Sequence, residues 1–371
     1  MERGDEKFFT SNSILVVNMD MKPKIYIIIL NYNSWADTIE CLESVLRNNY
    51  PNYQVVVLDN NSPNNSMEYI KAWAEGKLDL WVNPNHPLRR LSYPPVPKPI
   101  PYVYYNRKEA EKGGDPEIEK QLEWQIPEGI TTKYPLVFIQ TGENLGFAGG
   151  NNIGIRYALA KEDFDSIILL NNDTVIEKDS ILKLFEARER YGDKAIYGGR
   201  IYYYSDTNKI WYDGGHFNEW LGRTTHINMG KRNVPTKPVL EVNFITFCFV
   251  LIPKEIIKEI GLLDESYFMY VEDLDYSYKV WKKGYKLYHV SSSQIWHRVG
   301  ASSGEEVSEF SAYWIMRNRL KFILQNLGLL KKLSAFTFLI FSRIVRYALW
   351  INKRKLIVAQ IKGIVDGLKS K

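Results

Sequence analysis

The stretch Leu169-Leu170-Asn171-Asn172-Asp173-Thr174 decides how this chain is read. It closes a continuous apolar run, SIILLN from Ser166 to Asn171, and then places an amide, an acid and a hydroxyl together. Two earlier runs end the same way. IYIIIL (Ile25 to Leu30) leads into Asn31-Tyr32-Asn33-Ser34, and QVVVLD (Gln54 to Asp59) into Asn60-Asn61-Ser62. Unbroken rather than alternating apolarity marks strands covered on both faces. Any one polar cluster is an ordinary turn. Three of them at the tips of three consecutive predicted strands converge on one sheet edge, and open α/β sheets bind ligands outside the carboxyl ends of their strands.

Between the first two runs, Ile39, Leu42, Val45 and Leu46 keep helical spacing, with Ser34 or Asp37 as cap and Pro51 as stop. Strand, helix and strand make a right-handed βαβ unit. Further helices are expected over 66–74, 153–160 and 179–191. Short antiparallel strands follow to about Val239, then a buried strand in VNFITFCFVLIP and a helix ended by Gly261. VEDLDYSYKVWKKGYKLYHV reads as a helix, a stop at Gly284 and a strand. The segment 84–135 holds 10 of the 16 prolines, which forbids regular helix and central strand. It reads as an insertion, either an ordered extended arm or a flexible loop, with a short helix near 117–124. Its aromatics Tyr93, Tyr102, Tyr104, Tyr105 and Trp124 suit either loop packing or contact with a glycan.

The chain has 371 residues, 45% apolar and 25% charged, enough for a large core without staples. Its two cysteines, Cys41 and Cys248, make no disulfide framework or Cys-based zinc site and fit a reducing compartment. The first 22 residues carry only a short apolar run, Ile14 to Val17, too short for a signal-peptide core, and read as a loose tail. The net charge of +5 is unevenly spread: residues 310–371 contain 13 Lys and Arg and one acid, Asp366, so the remainder is acidic. The apolar stretch 333–351 in that basic region is interrupted by Arg343 and Arg346, which makes a poor membrane span. It suits a helix lying on an anionic leaflet, or one packed on its own domain. An acidic body without a nucleic-acid motif gives no reason to expect a nucleic-acid partner.

The segments IIILNYNS, VVVLDNNS, ENLGFAGGNNIGI, ILLNNDT, GLLDESYFMYVEDLDYSYKVWKKGY and IWHRVGASS, in that order, resemble the family 2 glycosyltransferases, specifically the rhamnosyltransferase-like branch. The resemblance runs from about Lys24 to Ser303, apart from the insertion. It implies an α/β GT-A fold with a mostly parallel sheet flanked by helices. It also implies transfer of a sugar, with inversion, from a nucleotide-diphosphate donor to a glycan or lipid-linked acceptor. On this reading residues 23–305 are the transferase domain, with a donor half (23–180) and an acceptor half (181–305), and 306–371 form a basic amphipathic helical region. The protein would sit on the inner face of the cell membrane. A dTDP donor carrying rhamnose is one substrate the resemblance suggests.

The departing diphosphate carries several negative charges, which calls for Mg²⁺ or Mn²⁺. Asp173 resembles the last acid of the family's metal-holding Asp-X-Asp motif, whose first acid is here Asn171. His297 resembles the histidine placed near metal and diphosphate, with Arg298 assisting. Asp273, second of the Glu272-Asp273 pair, resembles the general base, with Glu272 assisting. Asn31, Tyr32, Asp59, Asn60, Gly149, Gly150, Asn151 and Asn172 are the expected donor-nucleotide residues. Thr246-Phe247-Cys248-Phe249 departs from the small residues usual at that place, and its phenylalanines are expected to reshape the acceptor pocket. A sugar-1-phosphate nucleotidyltransferase would need a Gly-rich basic signature after the first strand, where NYNSWADT stands. A processive synthase would need a Gln-X-X-Arg-Trp motif, and the chain has no Arg-Trp pair. A non-catalytic nucleotide-sugar-binding scaffold is the remaining alternative. The oligomeric state is not legible.

Overall fold

The computed structural model describes residues 22–232, 234–235, 237–299, 308–349 and 353–369, without the side chains of 124, 348 and 349. The expected loose tail lies outside these residues except for Lys22, and so does the boundary expected at 305.

In chain order the first half contains β1 (Ile25–Asn31), α1 (Trp35–Val45), β2 (Tyr53–Asp59), α2 (Ser66–Ala74), α3 (Arg89–Ser92), β3 (Tyr102–Asn106), α4 (Arg107–Ala110), α5 (Pro116–Leu122), β4 (Leu136–Gln140), α6 (Gly146–Lys161) and β5 (Ser166–Asn171). The second half continues with β6 (Thr174–Ile176), α7 (Ser180–Tyr191), β7 (Ala195–Tyr203), β8 (Ile210–Tyr212), β9 (Gly215–Asn218), β10 (Arg223–His226), β11 (Val239–Val242), β12 (Phe249–Pro253), α8 (Lys254–Ile260), α9 (Glu272–Lys282) and β13 (Lys286–His297). Three helices close the described chain: α10 (Glu309–Asn326), α11 (Leu329–Leu349) and α12 (Arg354–Lys369).

Eleven of the described strands share one sheet, whose main path runs β11-β13-β7-β12-β5-β1-β2-β4-β3. The five strands from β5 to β3 are all parallel. β12 then enters antiparallel between β5 and β7. In β1 and β2, Ile27, Ile29, Val55 and Val57 bury one face with α1 and α2, while Tyr26, Ile28, Val56 and Leu58 bury the other with α6. Double-sided burial is the physical reason these runs do not alternate. Register places Asn31 beside Asp59, Leu30 beside Asn171 and Asp59 beside Gln140, so the polar tips lie level.

Several expectations change. The three runs adjoin in space but are not consecutive in sequence, since β3 and β4 intervene between β2 and β5. Helix α1 ends at Val45, where Asn48 Nδ2 donates to the Val45 carbonyl at 2.6 Å, well before Pro51. Ser34 occupies the N-cap position, but its side chain makes no capping bond. Of the two readings left open for the proline-rich insertion, an ordered arm or a flexible loop, the structure has the ordered one. The insertion supplies the edge strand β3, the location where a proline-flanked strand is tolerated. Two buried acids tie it down. Glu43 accepts from Trp73 Nε1 (2.9 Å), Val96 N (2.8 Å) and Lys98 Nζ (2.9 Å). Glu119 accepts from Tyr105 OH (3.0 Å), Tyr157 OH (2.8 Å) and Lys161 Nζ (2.9 Å).

Helix α6 starts at Gly146, seven residues before the expected Ile153, so GFAGGNN is helical. A Cβ on Gly150 would lie 2.6 Å from Leu30 Cδ1, and one on Gly149 would lie 2.8 Å from Leu145 Cβ. Close packing of α6 on β1 therefore accounts for glycine at 150. Gly150→Ala is expected to cost about 1–3 kcal/mol by overpacking, read as a lower denaturation midpoint with an unchanged slope.

The C-terminal region is part of the body. Ala335 and Leu339 of α11 are buried in the main core. α12 lies so close on α10 that a Cβ at Gly363 would sit 2.5 Å from the Tyr313 carbonyl. Leu330, Leu333, Phe341 and Ile344 nevertheless form an exposed apolar stripe along α11. Among the described residues no helix is long and apolar enough to cross a membrane.

Candidate active site

The strand tips build the floor of the site. Asp59 accepts from Asn31 Nδ2 (2.7 Å), from Ser62 Oγ (2.5 Å) and N (3.1 Å), and from Gln140 Nε2 (3.0 Å). Asn31 Oδ1 accepts from Thr38 Oγ1 at 3.0 Å, and Asn172 Nδ2 reaches the same hydroxyl at 2.9 Å. Asn60 holds the turn into α6, donating to the Asn144 side chain and the Gly146 carbonyl and accepting from Leu145 N. Asn31, Asp59 and Asn60 are thus buried and bonded within the polypeptide, so they shape the tips. Tyr32 is 40% exposed and presents a free ring at the rim. Asn151 Nδ2 donates back to the Phe147 carbonyl at 2.9 Å inside α6.

Beyond β5 the chain turns into the short strand β6, and β13 pairs with it so that His297 lies opposite Thr174. This pairing brings together residues more than a hundred positions apart. His297 Nε2 lies 3.1 Å from Asp173 Oδ1. Both side chains are buried, and Asp173 Oδ1 has no aligned hydrogen-bond donor. Burial alone would lower the His297 pKa, but the Asp173 carboxylate and the Cys248 thiol raise it well above its ordinary value.

The segment 246–248 joins this corner to the acidic pair. The Asn171 amide donates to the Cys248 carbonyl at 2.9 Å. Asp273, at the first turn of α9, accepts from the Leu274 amide at 2.8 Å, and the Thr246 hydroxyl and the Phe247 amide lie close enough to favour its charged form. Burial outweighs these groups and pushes the Asp273 carboxyl up to about 6. Glu272 is raised well above the carboxylate range by burial and then by Asp273 beside it, and its Oε2 has no partner. The buried Cys248 thiol feels the charge of both Asp173 and Asp273. The half-buried Tyr270 ring feels Glu272 and Asp173. Asp173 and Asp273 thus both lie within electrostatic reach of the Cys248 thiol.

Other residues stand elsewhere. Arg298 was expected to assist at the diphosphate or acceptor. Its Nε lies 3.2 Å from Asp37 Oδ1, its Nη2 pairs with Glu40, and its plane covers the Tyr204 ring at 3.6 Å. Two acids on one face of α1 hold it there. Only its backbone N–H reaches the centre, donating to the Asp173 carbonyl at 2.9 Å. Phe247 and Phe249 are buried in the core, so they do not line an acceptor pocket. Sequence reasoning missed the Asp37–Glu40 pair as the anchor of Arg298; its helical spacing was its only signal.

Among the described residues no group of three or more His, Cys, Asp and Glu side chains gathers as a self-sufficient metal cage. Asp173 and His297 are a donor set that suits a cation sharing its shell with a phosphorylated ligand.

A parallel donor-side sheet with acids at its strand tips, continued by a mixed half and covered on both faces, is the GT-A plan. The family model for glycosyl transferase family 2 matches residues 26–85 and 123–261, and the chain belongs to that family. The gap between the two matched blocks falls within the insertion. The chain is 25% identical over 241 residues to the low-salt glycan biosynthesis hexosyltransferase Agl10 of Haloferax volcanii, which covers 63% of this chain and 76% of that protein. It is 23% identical over 260 residues to the dTDP-rhamnosyl transferase RfbF of Shigella flexneri, covering 68% and 85%. Among solved structures it resembles GalNAc-T7, crystallised with UDP, GalNAc and Mn²⁺, at a TM-score of 0.50 and 15% identity over 82% of this chain and 48% of that one. That likeness concerns the fold.

Proposed function

We propose that this glycosyltransferase moves a hexose, with inversion, from a UDP- or dTDP-sugar, dTDP-rhamnose among them, to a hydroxyl of a glycan or lipid-linked acceptor. The observation that supports the reading is that Asp173 and Asp273, a hundred positions apart in the chain, both lie within electrostatic reach of the one buried thiol of Cys248. Asp173 and His297 would hold Mg²⁺ or Mn²⁺, which when bound takes up charge on the departing diphosphate. The acceptor oxygen attacks the anomeric carbon from the face opposite the diphosphate. The C–O bond to the acceptor forms as the bond to the diphosphate oxygen breaks, and the acceptor proton passes to Asp273. Tyr32 stacks on the donor base. Asp59 and Asn60 fix the strand tips beneath the nucleotide, and Glu272 keeps the pocket around Asp273 dry and uncharged. The names of Agl10 and RfbF support the sugar class.

The test is release of nucleoside diphosphate from UDP- and dTDP-sugars with Mn²⁺ and a lipid-linked glycan acceptor. A base must be ionised to act, so kcat/KM should fall tenfold per unit as pH drops below about 6, following the raised Asp273 carboxyl. Donor binding without any acceptor-dependent release would instead identify a non-catalytic binding protein.

The exposed apolar stripe of α11 and the excess of cations over acids in residues 310–371 support a resting place on an anionic membrane, at its inner face. The protein should co-sediment with phosphatidylglycerol-containing vesicles and not with pure phosphatidylcholine. Because the attraction is partly screened by salt, binding should weaken between 0.05 and roughly 0.5 M NaCl. Equal binding to both vesicles would overturn it.

A further inference from the structure

The five residues that lead into Asp273 are held in a conformation their sequence disfavours. Phe268 has φ 62° and ψ −65°, and the Met269 amide donates to the Tyr267 carbonyl across it at 2.7 Å. This is a γ-turn of the rare, positive-φ kind. Tyr270 follows at φ 67° and Val271 at φ 76°, the latter a β-branched residue for which such an angle is an outlier. Positions of this sort cost roughly 1–3 kcal/mol each and persist only where the surroundings fix them.

The fixing groups come from two sides. From α6, the Phe147 and Ala148 amides donate to the Phe268 carbonyl at 2.6 and 3.3 Å. From α10, the fully buried Asn318 points its Nδ2 at the carbonyls of Tyr267 (2.7 Å), Met269 (2.8 Å) and Tyr270 (2.9 Å). Arg317 Nη1 donates to Asn318 Oδ1 at 2.6 Å and to the Ser266 carbonyl at 3.0 Å, which fixes the amide's orientation. Trp314, one turn earlier on α10, stacks on the Phe268 ring at 4.9 Å.

We propose that Asn318 is a positioning residue for sugar transfer: by binding three carbonyls of this strained segment, those of Tyr267, Met269 and Tyr270, from outside the GT-A sheet, it aims the first turn of α9, and with it Asp273, at the acceptor hydroxyl. This rests on the reading of Asp273 as general base. Asn318 touches no substrate. Its donors act on the loop, the loop sets the start of α9, and Asp273 and the Tyr270 ring move with that start. Residues of the C-terminal helices thereby become part of the catalytic apparatus.

The isosteric Asn318→Asp removes both N–H donors while keeping the volume. Misplacing a reacting group by about 1 Å costs on the order of 10²-fold. Asn318→Asp should therefore lower kcat by about that factor, leave the donor KM within about threefold, and move the acid limb of the pH profile away from its position near 6. Added to Asp273→Asn it should cause little further loss, because both act on one step. An unchanged kcat, or a loss that multiplies with that of Asp273→Asn, overturns the proposal. Should Asn318→Asp fail to fold, Asn318→Ser, which introduces no charge, gives the same readings. If Asp273→Asn is inactive and the Asn318 variants are not impaired, positioning fails and the base assignment stands. If Asp273→Asn keeps its turnover, the base assignment fails and the role given to Asn318 goes with it.

Discussion

Asp273→Asn should lower the rate of sugar transfer by about 10²–10⁴-fold, the range of general-base catalysis, while nucleotide-sugar binding measured by calorimetry stays within about threefold. The amide keeps an oxygen for the Leu274 N–H group, so the local structure has no reason to change. Nor should the substitution weaken the fold. Folding raises this carboxyl from near 3.9 to about 6, chiefly by burial. A raised acid favours the folded state only when protonated, so its contribution is lost as pH rises through that window, and at neutral pH the buried charge opposes folding. Removing it should leave the melting temperature at neutral pH unchanged or higher. Loss of turnover with retained stability is the signature of a group kept for chemistry. Transfer within tenfold of the parent would show that another group takes the proton.

Asp173→Ala should act through a different quantity. Asp173 is buried and its Oδ1 has no aligned donor; its carboxylate raises the pKa of the neighbouring His297, which must give up its proton to bind an ion. With Asn171 in place of the first acid of the motif, little negative charge remains nearby to attract a cation. Charge stabilisation by a bound ion is worth several kcal/mol, so the variant should lose about 10²–10³-fold in kcat/KM. It should also lose the dependence of UDP- or dTDP-sugar binding on Mn²⁺ in a thermal-shift titration. Mn²⁺-dependent stabilisation that survives in Asp173→Ala would place the ion elsewhere.

Much of this architecture could be read in the residues. The runs 25–30, 54–59 and 166–171 announce buried strands because both of their faces are covered, and α2 matches the expected 66–74. The tips were legible as well, because Asn and Asp have few reasons to cluster three times at strand ends. What the tips do was less so. Asp59 and Asn60 look like free ligand-binding groups in sequence, and only the fold shows how many donors and acceptors the neighbouring strands supply to them. Arg298 reads as an anion-binding residue until α1 brings two acids against it. β4 was hidden behind the prolines of the insertion. Asn318 carries no signal in sequence, since its partners are main-chain carbonyls some fifty positions away.

The proline-rich insertion has a bearing on how this transferase can be altered. Its strand β3 covers one side of β4 along the parallel half of the sheet. Trimming 84–135 to obtain a leaner enzyme would therefore leave LVFIQ with a bare row of amides and carbonyls, a template on which a second molecule can pair. The shortened protein should be lost first to aggregation, before any question of catalysis arises.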